Sequence, residues 1–158
     1  MKRDAHIHTP FCPHGSPDSF EQYIEKAITQ QFTHMTFTEH APLPKSFVDP
    51  TPDQDSGMNE THLEKYFTTL HKLKKLYAKD ISISIGLEVD FIQGYERETT
   101  QFLNTYGREL DDAILSVHLL QLADRYTCID FSADEFLSVA KQIGSVQAVY
   151  DLYYDTLQ

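Results

Sequence analysis

Cysteine is scarce in this sequence. Cys12 and Cys128 are the only two among 158 residues, too few for a disulfide framework, which points to a reducing compartment and predicts a cytoplasmic protein. Positive charge is scarce as well: 13 Lys and Arg stand against 24 Asp and Glu, a formal charge of −11. Phosphate backbones are held by clustered Lys and Arg, so no nucleic-acid partner is expected. No apolar run approaches the ~20 residues of a membrane span. Met1–His6 has no apolar stretch of signal-peptide type, and no membrane partner is expected. Internal repeats and low-complexity segments are missing too.

What is present is enough apolar material for one ordinary core, 41% of the chain. A chain of about this size buries roughly 68–70% of its unfolded surface, so a single domain over residues 1–158 is expected. Strand-like and helix-like segments alternate along it. Strands are expected over Asp4–His8, Thr33–His40, Ile81–Phe91 and Asp112–Leu120. Helices are expected from Ser19 to about Gln31, over Glu60–Ala78, Tyr95–Tyr106 and Ala133–Gln142, and from Ser145 to about Leu157. Ser19, with Gln22 three residues on, has the spacing of a capping box. Between the second strand and its following helix, Ala41–Asn59 contains Pro42, Pro44, Pro50 and Pro52, and is an unusually long irregular connection for a compact domain. The order βαβαβα followed by βαα predicts an α/β fold with parallel strands.

Alternate residues of a strand share a face. In the third strand Ile81, Ile83, Ile85, Leu87 and Val89 lie opposite Ser82, Ser84, Gly86, Glu88 and Asp90. In the fourth, Ala113, Leu115, Val117 and Leu119 oppose Ser116 and His118. In the second, Met35 and Phe37 oppose His34, Thr36, Thr38 and His40, and in the first, Ala5 and Ile7 oppose Asp4, His6 and His8. Each strand thus has one apolar face suited to covering helices. Its other face is small or polar and ends in a metal-ligand residue type. A parallel sheet buried on both sides would be apolar on both faces, whereas a barrel with a site at its carboxyl-terminal rim has this pattern. A closed barrel of eight strands rarely takes fewer than ~200 residues, so part of a barrel is expected, with about four parallel strands.

The chain has eight histidines, and most fall at strand ends or in adjoining loops. His6-Ile7-His8 puts two imidazoles on one side of a strand, about 6.6–6.8 Å apart by Cα, close enough to converge on one ion. His40, Glu88 and His118 occupy equivalent ends of later strands. Neutral imidazole and carboxylate together suit zinc, manganese or iron, and a carboxylate can bridge two ions.

The run Asp4-Ala5-His6-Ile7-His8-Thr9-Pro10-Phe11-Cys12-Pro13-His14-Gly15 resembles the opening of the histidinol-phosphatases of the PHP (polymerase and histidinol phosphatase) superfamily. The resemblance continues through Thr38-Glu39-His40-Ala41-Pro42-Leu43-Pro44 and Asp49-Pro50-Thr51-Pro52-Asp53-Gln54-Asp55-Ser56. It extends to Gly86-Leu87-Glu88-Val89-Asp90, Leu115-Ser116-Val117-His118, Cys128-Ile129-Asp130 and Leu152-Tyr153-Tyr154, and so covers essentially the whole chain. It implies a partial, distorted (β/α)7 TIM-like barrel of the PHP type. It also implies up to three divalent ions (Zn, Mn or Fe) and hydrolysis of L-histidinol phosphate in histidine biosynthesis by metal-activated hydroxide attack on phosphorus. Carried over by motif, His6, His8 and Glu88 serve the first metal. Glu88 bridges to the second, which His118 also binds, and His14 with His40 holds the third. Glu88 and His118 are the implied catalytic residues.

The family pattern continues with Gly-His and Asp-x-His segments that have no counterpart before Gln158. The resemblance therefore leaves open a shortened, catalytically impaired fragment that binds metal weakly and self-associates through an open barrel edge. Another PHP phosphoesterase or nuclease is a further alternative. Among the remaining residues, Asp49, Asp53 and Asp55 are candidates to meet the cationic end of histidinol. Asp4 either orients a ligand imidazole or makes a structural hydrogen bond, and Asp90 either contacts substrate or ends its strand. His34 is expected in the core, with His62 and His71 away from the site. Cys12 is expected as a packed thiol, with metal ligation as the alternative, and Cys128 is expected to be structural.

Overall fold

The computed structural model describes every residue from Met1 to Gln158. Its elements follow the expected alternation: β1 Arg3–Ile7, α1 Phe20–Thr29, β2 His34–His40, a 3-10 turn Glu60–His62 leading into α2 Leu63–Leu76, then β3 Ser82–Asp90 and α3 Glu96–Tyr106. β4 Asp112–Ser116, β5 Leu119–Leu122, β6 Arg125–Cys128, α4 Ala133–Ile143 and α5 Val146–Thr156 complete the chain. The first four strands form one parallel sheet in the order β1-β2-β3-β4, the part-barrel that the alternation predicts.

Local signals explain most boundaries. Ser19 Oγ accepts from the Gln22 amide at 3.3 Å while the Ser19 amide donates to Gln22 Oε1 at 2.7 Å, completing the expected capping box at α1. Ser132 and Ser145 each accept an amide hydrogen bond at 3.0 Å from the third residue on, satisfying a donor at the starts of α4 and α5. Gly144 ends α4 at φ 110°, a left-handed position that a side chain would strain.

The apolar faces of β2 and β3 carry the main core. Met35, Phe37, Ile83, Ile85 and Leu87 pack beneath Phe20 and Ile24 of α1 and Leu63, Tyr66, Leu70 and Leu73 of α2. Full burial of each such side chain contributes about 1.5–3 kcal/mol. A second cluster joins Val117, Leu120 and Leu122 to Val139, Ala140 and Val149, and so holds α4 and α5 against β5.

Two expectations are corrected. The fourth strand does not run from Asp112 to Leu120. It stops at Ser116 because the next inward residue, His118, gives its amide to the Asp90 carboxylate rather than to a sheet partner. The chain then enters an antiparallel hairpin, with Leu119 opposite Cys128 and Leu122 opposite Arg125. Its two-residue turn places Ala123 at φ 54°. The usual sequence signal for such a turn is Gly or Asn, and Ala123-Asp124 does not carry it. Nor is every strand's apolar face covered. β1 and β4 are the sheet's edges, and Leu115 is 59% exposed. An irregularity in β1 pairs Asp4 with Met35 and Ile7 with Phe37, so Asp4 takes the apolar side expected for Ala5, which is exposed.

Candidate metal centre

The sheet register places the site. His40 of β2 pairs with Glu88 of β3, and Asp90 pairs with Ser116 of β4, so the polar faces end at one level. Gly86 lies one inward position before Glu88. A Cβ there would meet Thr38 Cγ2 at 2.9 Å and Phe37 O at 3.0 Å, so the strands approach this closely only over a glycine.

Glu88 is the centre of the arrangement, 2% exposed. His6 Nε2 donates to its Oε2 at 2.8 Å. His8 Nε2 lies 3.4 Å and His40 Nδ1 3.6 Å from the same oxygen. Its other oxygen, Oε1, accepts from Ser116 Oγ at 2.5 Å and faces His118 Nε2 at 3.4 Å. Five residues from the ends of three other strands thus share one carboxylate. The rings continue outward: His8 and His40 are 4.4 Å apart by centroid, and His14 lies 5.3 Å from His40. His14 Nδ1 donates to the Asp55 carbonyl at 3.2 Å, which ties the loop after β1 to the proline-rich loop.

Two further carboxylates orient imidazoles. His118 Nδ1 donates to Asp90 Oδ1 at 2.8 Å, and His8 Nδ1 donates to Glu39 Oε1 at 3.3 Å. Burial alone would lower the His118 pKa, but the Asp90 hydrogen bond and charge outweigh it and raise it to about 9. The Glu39 hydrogen bond likewise raises His8 against desolvation. His40 has no such partner; burial and the neighbouring His8 lower it. Burial pushes Glu88 upward, yet the hydrogen bonds from Ser116 and His6 hold it below the ordinary range. Neither Glu39 nor Ser116 was singled out from the sequence. The signal for Glu39 was there: it is a charged residue on the β2 face that otherwise carries Met35 and Phe37.

The donor set fits divalent cations. The donor atoms of His6, His8 and Glu88 lie within 4.8 Å of one another, as do those of His40, Asp90 and His118, and those of His8, Cys12 and His40. His40 Nδ1 is buried with no hydrogen-bond partner. Buried ring nitrogens are ordinarily paired, and an orphaned one aimed at a carboxylate oxygen is what a cation between them would satisfy.

The Ala41–Asn59 connection closes at its ends, with the Ala41 amide donating to Glu88 O at 2.7 Å and the Met58 amide to His40 O at 3.2 Å. It borders a cavity of about 390 Å3 lined by His14, His40, Thr51, Asp53, Asp55, Ser56, His118, Cys128, Asp130 and Phe131.

The sequence profile of the PHP domain matches residues 4–157. The chain belongs to the PHP domain family. It is 52% identical over 157 residues to the histidinol-phosphatase of Bacillus subtilis strain 168, covering 99% of this chain and 59% of that protein. The chain therefore spans well under two thirds of that relative's length. A crystal structure from Listeria monocytogenes, provisionally described as a histidinol phosphatase, superposes with a TM-score of 0.93 at 38% identity, covering 98% of this chain and 59% of that one. The histidinol phosphate phosphatase of Lactococcus lactis, solved with zinc, L-histidinol and phosphate, matches with a TM-score of 0.62 at 28% identity. That match covers 78% of this chain and 41% of that one.

Within this PHP chain the other candidates separate cleanly. Asp49 does not face the cavity ligand space: its carboxylate accepts from the amides and hydroxyls of both Thr51 and Ser56 at 2.8–3.1 Å, knotting the loop. Asp4 does not orient an imidazole; its Oδ1 accepts from the His6 amide at 3.4 Å. His34 is not a core residue but half-buried at the opening of β2, beside Thr33 Oγ1. His62 and His71 are exposed, and His71 pairs with Glu109 at 3.0 Å. Burial raises the Cys12 thiol to about 11, and burial with the Asp130 hydrogen bond raises Cys128 to about 12.

Proposed function

We propose that this chain carries the metal site of a histidinol-phosphatase and serves the hydrolysis of L-histidinol phosphate to L-histidinol and phosphate in the cytoplasm. The observation that carries this reading is the convergence of His6, His8, His40 and His118 on the two oxygens of Glu88. The likeness to the Bacillus subtilis histidinol-phosphatase supports the choice of substrate.

His6, His8 and Glu88 would hold one divalent cation, zinc, manganese or iron. Glu88, with His118, would hold a second, and His40 with His14 a third. When bound, such cations bring water toward a pKa of ~7 and offset charge on phosphoryl oxygens. Glu88 is kept ionised by the hydrogen bond from Ser116, so it presents an oxygen to each side. Asp90 and Glu39 keep the Nδ1 protons of His118 and His8 on the far side of each ring. That leaves both Nε2 atoms to face Glu88. Asp53, Asp55 and Asp130 line the adjoining cavity with Phe131. They supply negative charge for the amine and imidazole of histidinol, and the same charges disfavour a polyanionic strand.

The test is phosphate release from histidinol phosphate by the purified chain with added Zn2+ or Mn2+, beside single-stranded DNA as a competing substrate. Release from the phosphomonoester alone is expected. Cleavage of DNA alone would transfer the site to a nuclease. Zn2+ binding without turnover of either substrate would leave the fragment reading in place of this one.

A further inference from the structure

Glu39 breaks the alternation of β2. Met35 and Phe37 precede it on the same face, both in the core, and Glu39 is itself 0% exposed. Each of its oxygens has two donors. Oε1 accepts from His8 Nδ1 at 3.3 Å and from the His40 amide at 2.9 Å. Oε2 accepts from the Thr9 amide at 2.8 Å and from Thr9 Oγ1 at 2.5 Å. Its one ion-pair partner is His8. A carboxylate removed from water without Lys or Arg is costly, and a structural staple between β2 and the loop after β1 does not require a charge.

Four donors do require a group with no proton of its own. An amide at this position would turn its NH2 toward donors whichever way it lay, and one backbone amide, of Thr9 or of His40, would lose its acceptor. We propose that Glu39 is a positioning residue for cation binding: by accepting the Nδ1 proton of His8 it fixes the tautomer whose bare Nε2 faces Glu88 Oε2. This rests on the metal reading above and deepens it. The geometry is the carboxylate–imidazole arrangement that sets ring orientation and donor strength in metal sites generally. The same carboxylate also holds the amide of His40, whose Nδ1 is the buried orphan. One buried group thereby orients the His8 ring and holds the backbone of His40.

The experiment compares Zn2+ affinity, by competition with a chelator, in the unaltered chain, Glu39→Gln and Thr9→Val. Thr9→Val removes a hydroxyl from the same carboxylate but leaves the His8 contact, so it reports the purely structural share. Glu39→Gln is expected to weaken Zn2+ by about 10–100-fold, while Thr9→Val lowers stability and keeps affinity within about threefold. Nitrogen chemical shifts of His8 in the unaltered chain, above the pH at which the ring becomes neutral, are expected to place its proton on Nδ1. A folded Glu39→Gln that binds Zn2+ like the unaltered chain overturns the inference, and so does a His8 proton on Nε2. Should Glu39→Gln not fold, the His8 nitrogen shifts alone decide. Failure of the unaltered chain to bind Zn2+ would instead remove the metal reading and this inference with it.

Discussion

Asp90 Oδ1 takes both the Nδ1 proton of His118, at 2.8 Å, and its backbone amide, at 3.3 Å. One carboxylate thus ends β4, turns the chain toward the hairpin and aims the His118 ring at Glu88. Asp90→Asn keeps the size of the side chain but loses its charge. The pKa of His118, followed by NMR, is expected to fall from about 9 toward its ordinary 6.5. Zn2+ affinity is expected to drop about 10–100-fold.

Removing the shared carboxylate has a broader effect. In Glu88→Gln the rings of His6, His8, His40 and His118 lose the oxygens between them. Metal analysis of the purified variant is expected to show at least one fewer bound ion per chain, with phosphatase activity down by two orders of magnitude or more, about the size of losing one principal electrostatic group. Unchanged metal content would end the bridging assignment.

Without metal, stability should depend on pH in a direction set by each group. His118 and His8 have raised pKa values, so their contribution is full below about 6.5 and is lost as pH rises through the folded value, about 9 for His118. Glu39 and Glu88 are lowered, and His40 is lowered. Their contributions are present above the ordinary values and are lost as pH falls. Urea denaturation of the metal-free chain is therefore expected to show declining stability from neutral pH toward pH 10, and again toward acid. Zn2+ must displace the His118 and His8 protons, so its affinity should climb over the same alkaline range with proton release measurable by calorimetry.

The proline-rich loop separates two kinds of aspartate. Asp49→Ala leaves the Thr51 and Ser56 amides without their acceptor and should cost about 1.5–3 kcal/mol, the scale of a hydrogen bond to a charged group. Asp53→Asn and Asp55→Asn should leave stability unchanged. Their expected effect is a higher KM for histidinol phosphate and no change for a plain phosphomonoester. An equal change for both substrates would show that these carboxylates do not meet the cationic end.

Gly86→Ala tests how closely the strands must approach. Its new methyl would sit 2.9 Å from Thr38 Cγ2 and 3.0 Å from the Phe37 carbonyl. A loss of about 1–3 kcal/mol is expected from such overpacking, measured as a lower denaturation midpoint. Because Glu88 lies next along the same face, Zn2+ affinity should fall with it.

Periodicity alone determined the parallel sheet, the helix starts at Ser19, Ser132 and Ser145, and which sides of β2, β3 and β4 turn inward, because alternation and capping are written in neighbouring residues. It also placed His40 and Glu88 on inward faces, since their positions follow the period of two; His6 lies within the irregularity of β1, and His8 and His118 lie just past their strands. Tertiary structure alone decided what these side chains meet. Asp4, Asp49 and Asp90 looked alike as acidic residues near a site. Asp4 and Asp49 bond within their own segments, to the His6 amide and to Thr51 and Ser56, whereas Asp90 supports His118 only through the packing of segments 28 residues apart. Glu39 broke a local pattern whose purpose emerges once Thr9 and His8 fold against it. The hairpin after Ser116 was invisible for the same reason: its start depends on an Asp90 contact 28 residues away, and its turn lacks the glycine or asparagine that would have marked it locally.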